Sequence, residues 1–284
     1  MCEEFRVSER RACGLIGVAR STCRYRRKER GDAELRAALR EVALERPRWG
    51  YRRLKVLLGR RGWKVNWKRV YRLYREEGLA VRRRKRKRVA MERQPLRLPM
   101  KPDEVWTMDF THDALASGRK FRTLNLMDGY TREALAIEVD TSLPGPRVVR
   151  VLEGLSQERG VPERIQVDNG PEFISQVLDQ WAHERGAKLN FIRPGKPTDN
   201  GHIESFNGKF RDECLNQFWF VNLAEARERI EAWRQDYNHQ RPHSSLGYQT
   251  PAEFAAQAAA RGASPPTPLA LPKPELPQSS ELIL

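Results

Sequence analysis

The sequence predicts an α/β fold in two parts: a small all-α region, followed by a mixed five-stranded sheet with flanking helices. The first observation is the distribution of charge. Residues 1–100 hold 32 of the 53 Lys and Arg residues but only 11 of the 37 Asp and Glu residues, so the remaining charge is nearly balanced. The second observation is periodicity, because the apolar pattern changes from helical spacing to alternation at Val105.

Composition limits the class of protein. A chain of 284 residues with 39% apolar residues can bury a core. It contains no apolar run of the ~20 residues that span a bilayer and no signal-peptide segment, so we expect a cytoplasmic protein without a membrane partner. A basic region ahead of a nearly neutral domain is typical of a nucleic-acid-binding protein with a separate catalytic or regulatory module. A merely basic protein is the alternative.

The cysteines argue against a zinc finger in the basic region. Zinc needs four nitrogen or sulfur ligands, but only Cys2, Cys13 and Cys23 lie there, and the first histidine is His112. No close CxxC pair occurs. We therefore expect these cysteines and Cys214 to be reduced and structural.

The chain begins with a candidate helix pair. Ser8 can cap a first helix, Gly17 can supply a turn, and Ser21 can cap a second, basic helix. This is the outline of a helix-turn-helix, and an ordinary helical hairpin is the alternative.

A second helix pair follows. Its first helix closes at Gly62, and its second begins after the N-cap Asn66 and ends at Gly78. The predicted apolar faces comprise Leu54, Leu57, Leu58, Val70, Leu73 and Tyr74.

The opposite face of the last of these helices is cationic. Lys68, Arg72 and Arg75 share that face, as a helix lying along DNA requires. The alternative is a solvated charged face, which would normally mix signs, whereas only Glu76 and Glu77 at its end are acidic. We therefore predict DNA contact by this helix.

A run of seven like charges predicts an extended segment that tracks DNA phosphates. It comprises Arg82, Arg83, Arg84, Lys85, Arg86, Lys87 and Arg88. The predicted organisation is a helical DNA-binding region (1–81), a basic linker (82–100), an α/β domain that includes a C-terminal helix from Ala224 to Asn238 (101–260), and a disordered proline-rich tail (261–284).

Five segments of the α/β domain read as strands. They are "VWTMDFT", "GRKFRTLNLMD", "REALAIEVD", "ERIQVD" and "KLNFI", with a hairpin near Gly129. In the first strand, the apolar residues Trp106, Met108 and Phe110 alternate with polar residues that include Asp109. The apolar set and the polar set should therefore face opposite sides of the sheet. Pro171 is predicted to begin a helix after the fourth strand.

Three carboxylates are not placed like surface groups. Asp109 lies in an apolar strand, where an unpaired carboxylate is costly. Asp168 ends a strand, where side chains project into the ligand crevice of α/β sheets, and Glu204 lies on a helix after a Gly/Pro-rich loop. Together they could bind two Mg²⁺ ions, which clamp the attacking and leaving oxygens in phosphoryl transfer.

The helix of Glu204 has two distinct faces. Glu204, Asn207 and Arg211 share one face, whereas Phe206 and Phe210 form an apolar pair toward the core. Arg211 and Asn207 are therefore candidate DNA contacts, and a simple helix ion pair is the alternative for Arg211.

Four further polar residues have structural explanations that we favour. Asp199 and Asn200 suit a helix cap better than a metal site. His202 lies on a different helix face from Glu204 and is predicted to be structural. Asp128 is predicted to be a turn residue, with a buried carboxylate near the site as the alternative.

The triad Asp109, Asp168 and Glu204, with 35 residues between the last two, resembles the DD(35)E signature of integrase-like transposases and retroviral integrases. The phrases "WTMDF", "VDNGPEF", "KPTDNGHIESFNGKFRDECL" and "YNHQRPHSSLGYQTPAEF" resemble the OrfB transposases of the insertion-sequence-three family. The resemblance covers about Val7 to Phe254.

This resemblance implies an RNase H-like catalytic core preceded by a helix-turn-helix-type domain, with Mg²⁺ or Mn²⁺ as cofactor. It implies that water nicks one strand at an element end and that the freed 3′-hydroxyl attacks a second phosphodiester. It also implies an upstream-frame helix-turn-helix protein as a fusion or partner. Joining two ends of double-stranded DNA, and then a target, favours a homo-oligomer.

Two other classes of function remain as hypotheses. One is a DNA-binding regulator whose integrase-like core does not catalyse, and the other is a plain RNase H-type nuclease that degrades hybrids and never joins strands. The complete triad favours the transposase.

Overall fold

The computed structural model describes residues 7–25, 31–81, 98–168, 170, 173–192 and 201–261. The basic run 82–88, the candidate caps Asp199 and Asn200, and the tail from 262 lie outside these ranges. The chain divides into two units, Met1–Ala80 and Val81–Leu284. Across the described ranges, we find no helix that is long and apolar enough to cross a membrane.

The first unit is helical. Its helices are α1 (Glu9–Leu15), α2 (Arg20–Cys23), α3 (Ala33–Glu45), α4 (Tyr51–Arg60) and α5 (Trp67–Glu76). Ser8 caps α1 as predicted, because its Oγ accepts a hydrogen bond from the Arg11 N–H at 3.4 Å. The predicted cap at Ser21 is wrong. The turn at Gly17 (φ 67°) lets the next helix begin at Arg20, so Ala19 occupies the cap position and Ser21 lies inside the helix.

Helices α3, α4 and α5 share one core, and α3 is an element that we had not predicted. Asn66 caps α5 as expected, since its side chain accepts a hydrogen bond from the Lys68 N–H at 2.9 Å. The core consists of Leu35, Leu39, Val42, Ala43, Trp49, Leu54, Leu58, Val70, Leu73 and Tyr74. The predicted apolar face of α5 is therefore confirmed.

The second unit contains the predicted mixed sheet. Its strands are β1 (Val105–Ala114), β2 (Lys120–Asp128), β3 (Ala134–Asp140), β4 (Arg164–Val167) and β5 (Lys188–Phe191). The strand order is β3-β2-β1-β4-β5. The first three strands are antiparallel neighbours, whereas β4 runs parallel to β1 and β5 runs parallel to β4.

Helices cover both faces of this sheet. They are α6 (Gly145–Arg159), α7 (Gln176–Arg185), α8 (Gly201–Glu213), α9 (Leu223–His239) and α10 (Pro251–Arg261). Trp106, Met108 and Phe110 pack in the cluster that contains residues of α6 and α7. The other cluster contains Phe206 and Phe210 of α8 together with residues of α9. The predicted core-facing residues of β1 and of α8 are therefore confirmed.

Helix α7 begins later than predicted. Its first residue is Gln176, five positions after Pro171, which itself lies outside the described residues. The intervening turn is closed by the Phe173 N–H, which donates to Gly170 O at 3.0 Å. The Phe173 ring is buried and stacks on Phe110 at 4.9 Å, so packing against β1 takes precedence over an early helix start.

A buried ion pair fixes the end of α8. Arg241, which is 1% exposed, follows α9 and donates from Nε to Glu213 Oε2 at 2.6 Å and from Nη2 to Glu213 Oε1 at 2.5 Å. Glu213 is the last residue of α8. This pair attaches the C-terminal end of α8 to the segment after α9 by a bidentate, charge-assisted contact.

Arg241→Met should lower the free energy of unfolding by about 3–5 kcal/mol, because it removes the buried guanidinium that balances the charge of the Glu213 carboxylate. Thermal and urea unfolding measure this cost. The double variant with Glu213→Leu should recover most of the loss. Arg185→Met, which breaks an exposed pair with Glu153, is the control and should cost at most about 1 kcal/mol. Equal costs for the two single variants would contradict the interpretation.

Candidate active site

Asp109 occupies the middle of the central strand β1. Its Oδ1 accepts a hydrogen bond from the Phe110 N–H at 2.7 Å, and its Oδ2 accepts one from Asn207 Nδ2 at 2.8 Å. Asn207 lies one turn after Glu204 on α8. This side-chain hydrogen bond therefore holds the helix that carries Glu204 against the strand that carries Asp109.

A buried polar network supports this contact. Asn125, on β2 directly opposite Asp109, is fully buried and donates from Nδ2 to Asn207 Oδ1 and to Thr111 Oγ1, each at 2.8 Å. Thr123 Oγ1 in turn donates to Asn125 Oδ1 at 3.0 Å. Each polar group is satisfied by the next, so the network gives Asn207 one orientation.

Asp168 follows the parallel neighbour of β1. Thr107 pairs with Gln166, so the same register continued by two residues puts Asp168 beside Asp109. Neighbouring strands lie about 4.8 Å apart. Asp168 Oδ1 accepts a hydrogen bond from the Gly170 N–H at 3.0 Å, which closes the turn after β4.

The pKa of Asp109 is raised to about 6, chiefly by burial and also by the negative charges of Asp168 and Glu204, while the hydrogen bonds from Phe110 and Asn207 act in the opposite direction. The three predicted carboxylates are therefore electrostatically coupled. Among the residues that the structure describes, no three Asp, Glu, His or Cys side chains are grouped closely enough to enclose a metal ion as they stand. The donor set nevertheless fits Mg²⁺, because all three groups offer carboxylate oxygens and a cation would relieve their repulsion.

The predicted DNA contacts have different surroundings. Arg211 is exposed at the end of α8, and its Nη1 donates to His112 O at 3.4 Å. Arg211 makes no ion pair within the described part of the chain, so the helix ion pair that was the alternative is not observed there. Asn207 lies inside the polar network instead of on open surface. Its contact with DNA stays a prediction.

Only part of the cationic face of α5 is available. Lys68 and Arg75 are exposed, whereas Arg72 donates to Asp32 at 2.5 Å and to Glu76 at 2.9 Å. Asp32 is 40 positions away and precedes α3. The sequence interpretation missed this pairing because it considered α5 alone.

Asp128 has a structural role, and His202 is partly buried. Asp128 is fully buried, and its carboxylate accepts hydrogen bonds from the N–H groups of Tyr130 at 2.6 Å, Thr131 at 2.8 Å and Asp103 at 2.6 Å. The turn interpretation is therefore confirmed. Burial lowers the pKa of His202 to about 4, so this histidine is neutral at physiological pH.

Three residues of the network were missed at the level of sequence: Thr111, Thr123 and Asn125. The sequence could have indicated Asn125 as part of a polar network, because an amide inside the apolar run "LNLM" must be hydrogen-bonded when it is buried. Nothing in the sequence names Asn207 as its partner, since 82 positions separate the two residues.

Comparison with known proteins agrees with this arrangement. Residues 99–197 and 185–251 match the family described as integrase core domain, and residues 29–87 match an HTH-like domain. The HTH-like match therefore covers α3 to α5 and not the α1–α2 pair. Among solved structures, a chain of a simian T-cell lymphotropic virus intasome has a TM-score of 0.53 at 16% identity, covering 83% of this chain and 78% of that chain.

Curated relatives are more similar in sequence. A protein of insertion element IS407 from Burkholderia multivorans is 53% identical, over 93% of this chain and 96% of the relative. A protein of insertion element IS476 from Xanthomonas euvesicatoria is 47% identical, over 90% of this chain and 75% of the relative. Transposase InsD of insertion element IS2 from Escherichia coli is 28% identical, over 82% of each chain.

The fold and the matched families define an RNase H-like core of the integrase type, preceded by an HTH-like helical unit. The chain belongs to the integrase-core transposases of the insertion-sequence-three family.

Asp109→Asn should remove the pH-dependent destabilisation that the charged form of the buried carboxyl causes in metal-free buffer. The variant also loses the hydrogen bond from Asn207 Nδ2, because an amide nitrogen cannot accept it, and this cost is the same at every pH. The folded-state pKa of about 6 lies above the ordinary value of 3.8, so the stability contributed by this group is present below 3.8 and lost as pH rises through about 6. The stability of the variant relative to the wild type should therefore rise by on the order of 3 kcal/mol between about pH 4 and pH 8, since one pKa unit corresponds to about 1.4 kcal/mol.

Thermal unfolding across this pH range provides the measurement. Near pH 4 only the pH-independent cost of the lost hydrogen bond from Asn207 should remain. Asp179→Asn, at an exposed position of α7, should show no such trend. A pH-independent difference for Asp109→Asn would contradict the assigned cause.

Proposed function

We propose that this chain is a metal-dependent DNA transposase that cleaves and joins DNA strands at the ends of an insertion element. The observation that carries the proposal is the coupling of three carboxylates: Asp109 is held by Asn207 to the helix of Glu204, and its pKa responds to Asp168 and Glu204. Family membership supports the same chemistry, because InsD, a relative of this chain, is named a transposase.

Asp109, Asp168 and Glu204 would hold the metal, with two Mg²⁺ or Mn²⁺ ions in the proposal. When bound, such ions neutralise charge on the phosphate and activate the attacking hydroxyl. The protein contributes orientation. Asn207 fixes one oxygen of Asp109, while the Phe110 N–H holds the other, so the strand carboxylate has little rotational freedom.

DNA binding is assigned to cations that the fold leaves available. Arg211 lies beyond Glu204 on the same helix and could hold a phosphate beside the reacting one. Lys68, Arg75 and the basic run 82–88 belong to the proposed DNA contacts as well. For Arg72, ion pairs with Asp32 and Glu76 compete with a phosphate contact.

The functional unit in the proposal is a homo-oligomer on DNA, because two element ends must be held for joining. A helix-turn-helix protein from an upstream reading frame, as a fusion or partner, belongs to the same proposal. The place of action would be the bacterial cytoplasm, at the nucleoid when DNA is bound.

Asp109→Asn, Asp168→Asn and Glu204→Gln should each abolish Mg²⁺-dependent cleavage and joining of labelled duplex ends that carry the repeat flanking the coding region. DNA binding in a gel-shift assay should persist, because most phosphate contacts lie elsewhere. Asp179→Asn and Glu228→Gln, two exposed helix carboxylates, serve as charge-matched controls and should stay active.

The same assay separates the rival functions. Retained activity in any triad variant would overturn the site assignment. A wild-type protein that binds the ends but never nicks them would be a regulator, and one that degrades RNA in hybrids without joining strands would be a nuclease.

Asn207→Ala should reduce the cleavage rate about 10- to 100-fold and raise the Mg²⁺ concentration needed for half-maximal rate, as expected when a metal ligand loses its supporting hydrogen bond. DNA affinity should change little, since both polar ends of this side chain bond within the protein. Ser205→Ala, at an exposed neighbouring position on α8, is the control. A loss of DNA affinity with normal Mg²⁺ dependence would instead support a direct DNA contact.

A further inference from the structure

An aromatic surface follows the helix of Glu204. Residues 218–222, here called the aromatic loop, connect the turn after α8 to α9. Trp219 is 86% exposed and Val221 is 67% exposed, while Phe220 is buried and packs edge-on against Phe121 at 5.7 Å. The loop is thus anchored by one ring and presents another to solvent.

The aromatic loop is joined to the hairpin between β1 and β2. The Ala116 N–H donates to Phe220 O at 2.8 Å, which brings the loop next to the hairpin residues Arg119 and Lys120. Both cations are exposed, and neither makes an ion pair with a described residue.

Many arginines of this unit are bound to carboxylates, whereas Arg119 and Lys120 are not. Arg147 pairs with Glu138, Arg159 with Asp103 and Arg227 with Asp140. Next to the aromatic loop, the carboxylate of Glu225 is already engaged, since it accepts hydrogen bonds from the Val221 N–H at 2.8 Å and from Arg229 Nε at 2.7 Å. The loop and the hairpin therefore form a surface of net positive charge.

This surface lies in line with the candidate active site. Strand β1 runs from Asp109 to Ala114 at about 3.4 Å per residue, a distance of about 17 Å. Helix α8 runs in the same direction, because Asn207 contacts Asp109 and Arg211 contacts His112. Proceeding from the carboxylates, one meets Arg211 first and the aromatic loop next.

We propose that the aromatic loop, together with Arg119 and Lys120, is a second DNA-contact surface of the core. It holds duplex DNA about five to eight base pairs from the reacting phosphate, since base pairs repeat about every 3.4 Å. The cations bind phosphates, and the Trp219 ring makes apolar contact with sugars and bases. This inference rests on the proposed transposase function.

Charge favours DNA over a second copy of this chain as the occupant. In a two-fold interface this surface would face its own copy, and residues 115–120 and 218–222 contain no Asp or Glu to balance Arg119 and Lys120. Phosphates supply those charges. An exposed tryptophan beside free cations is also typical of nucleic-acid surfaces, where ring contacts add to phosphate contacts.

Salt dependence of binding distinguishes the two kinds of contact. For the full chain and a labelled duplex carrying the flanking repeat, the double variant Arg119→Ala/Lys120→Ala should reduce the slope of log affinity against log salt by about 2. Trp219→Ala should weaken binding about tenfold at unchanged slope, and Trp219→Phe should restore part of the loss.

Matched controls remove the same groups on other elements. Arg150→Ala/Lys188→Ala lowers the net charge equally, on α6 and β5, and should leave the salt slope unchanged. Val177→Ala removes an apolar side chain of α7 that is 43% exposed. Unfolding temperatures of all variants should match that of the wild type, because every altered side chain is exposed.

A length series tests the position of this surface. Duplexes that extend about four or about twelve base pairs on each side of the reacting phosphate differ in whether they reach the aromatic loop. The variants should be impaired on the long duplex and equal to the wild type on the short one. If the wild type cleaves both and the variants match it on both, the inference is overturned while the proposed function stands.

Failure of the proposed function looks different, because the wild type would then cleave neither duplex. A sedimentation measurement without DNA covers the remaining outcome. If Trp219→Ala dissociates an oligomer and leaves DNA affinity unchanged, the surface is an interface between copies, and the DNA assignment is overturned.

Discussion

The hydrogen bond between Asn207 and Asp109 is the contact on which the rest of the site depends. It joins a helix to a strand that is 98 positions earlier in the chain, and the fully buried Asn125 sets its direction. A polar network buried at this depth tolerates one arrangement, because any other arrangement leaves a donor or acceptor unsatisfied. Among the described residues, the Glu204 side chain makes no comparable hydrogen bond, so the packing of its helix determines its position.

The carboxylates of the site lower the free energy of unfolding, and contacts elsewhere in the fold offset this loss. Asp109 is a partly buried carboxylate with two negative neighbours, which lowers the free energy of unfolding at neutral pH. Two other contacts of the same helix compensate: Phe206 and Phe210 pack into the core, and Glu213 at its C-terminal end is held by Arg241. Helix α8 is thus fixed along its length while one face carries repelling charge.

Ion pairing sorts the many basic residues into two groups. Arg72, Arg147 and Arg241 serve the fold through carboxylate partners. Arg119, Lys120 and Arg211 make no such pair within the described ranges and lie along one line that starts at the carboxylates. Net charge alone could not separate these groups, because a paired and an unpaired arginine contribute equally to it.

Much followed from the sequence by itself. Alternation in β1, helical spacing in α8 and the order of the elements predicted the sheet, its two covered faces and the candidate carboxylates, because these patterns depend on residues near one another in the chain. Tertiary structure decided the rest. The pairing of Arg72 with Asp32, the late start of α7 over the Phe173 ring, and the junction of Asn125 with Asn207 all join distant segments. Such contacts are selected by packing and by the cost of burying unpaired polar groups, and no local pattern contains that information.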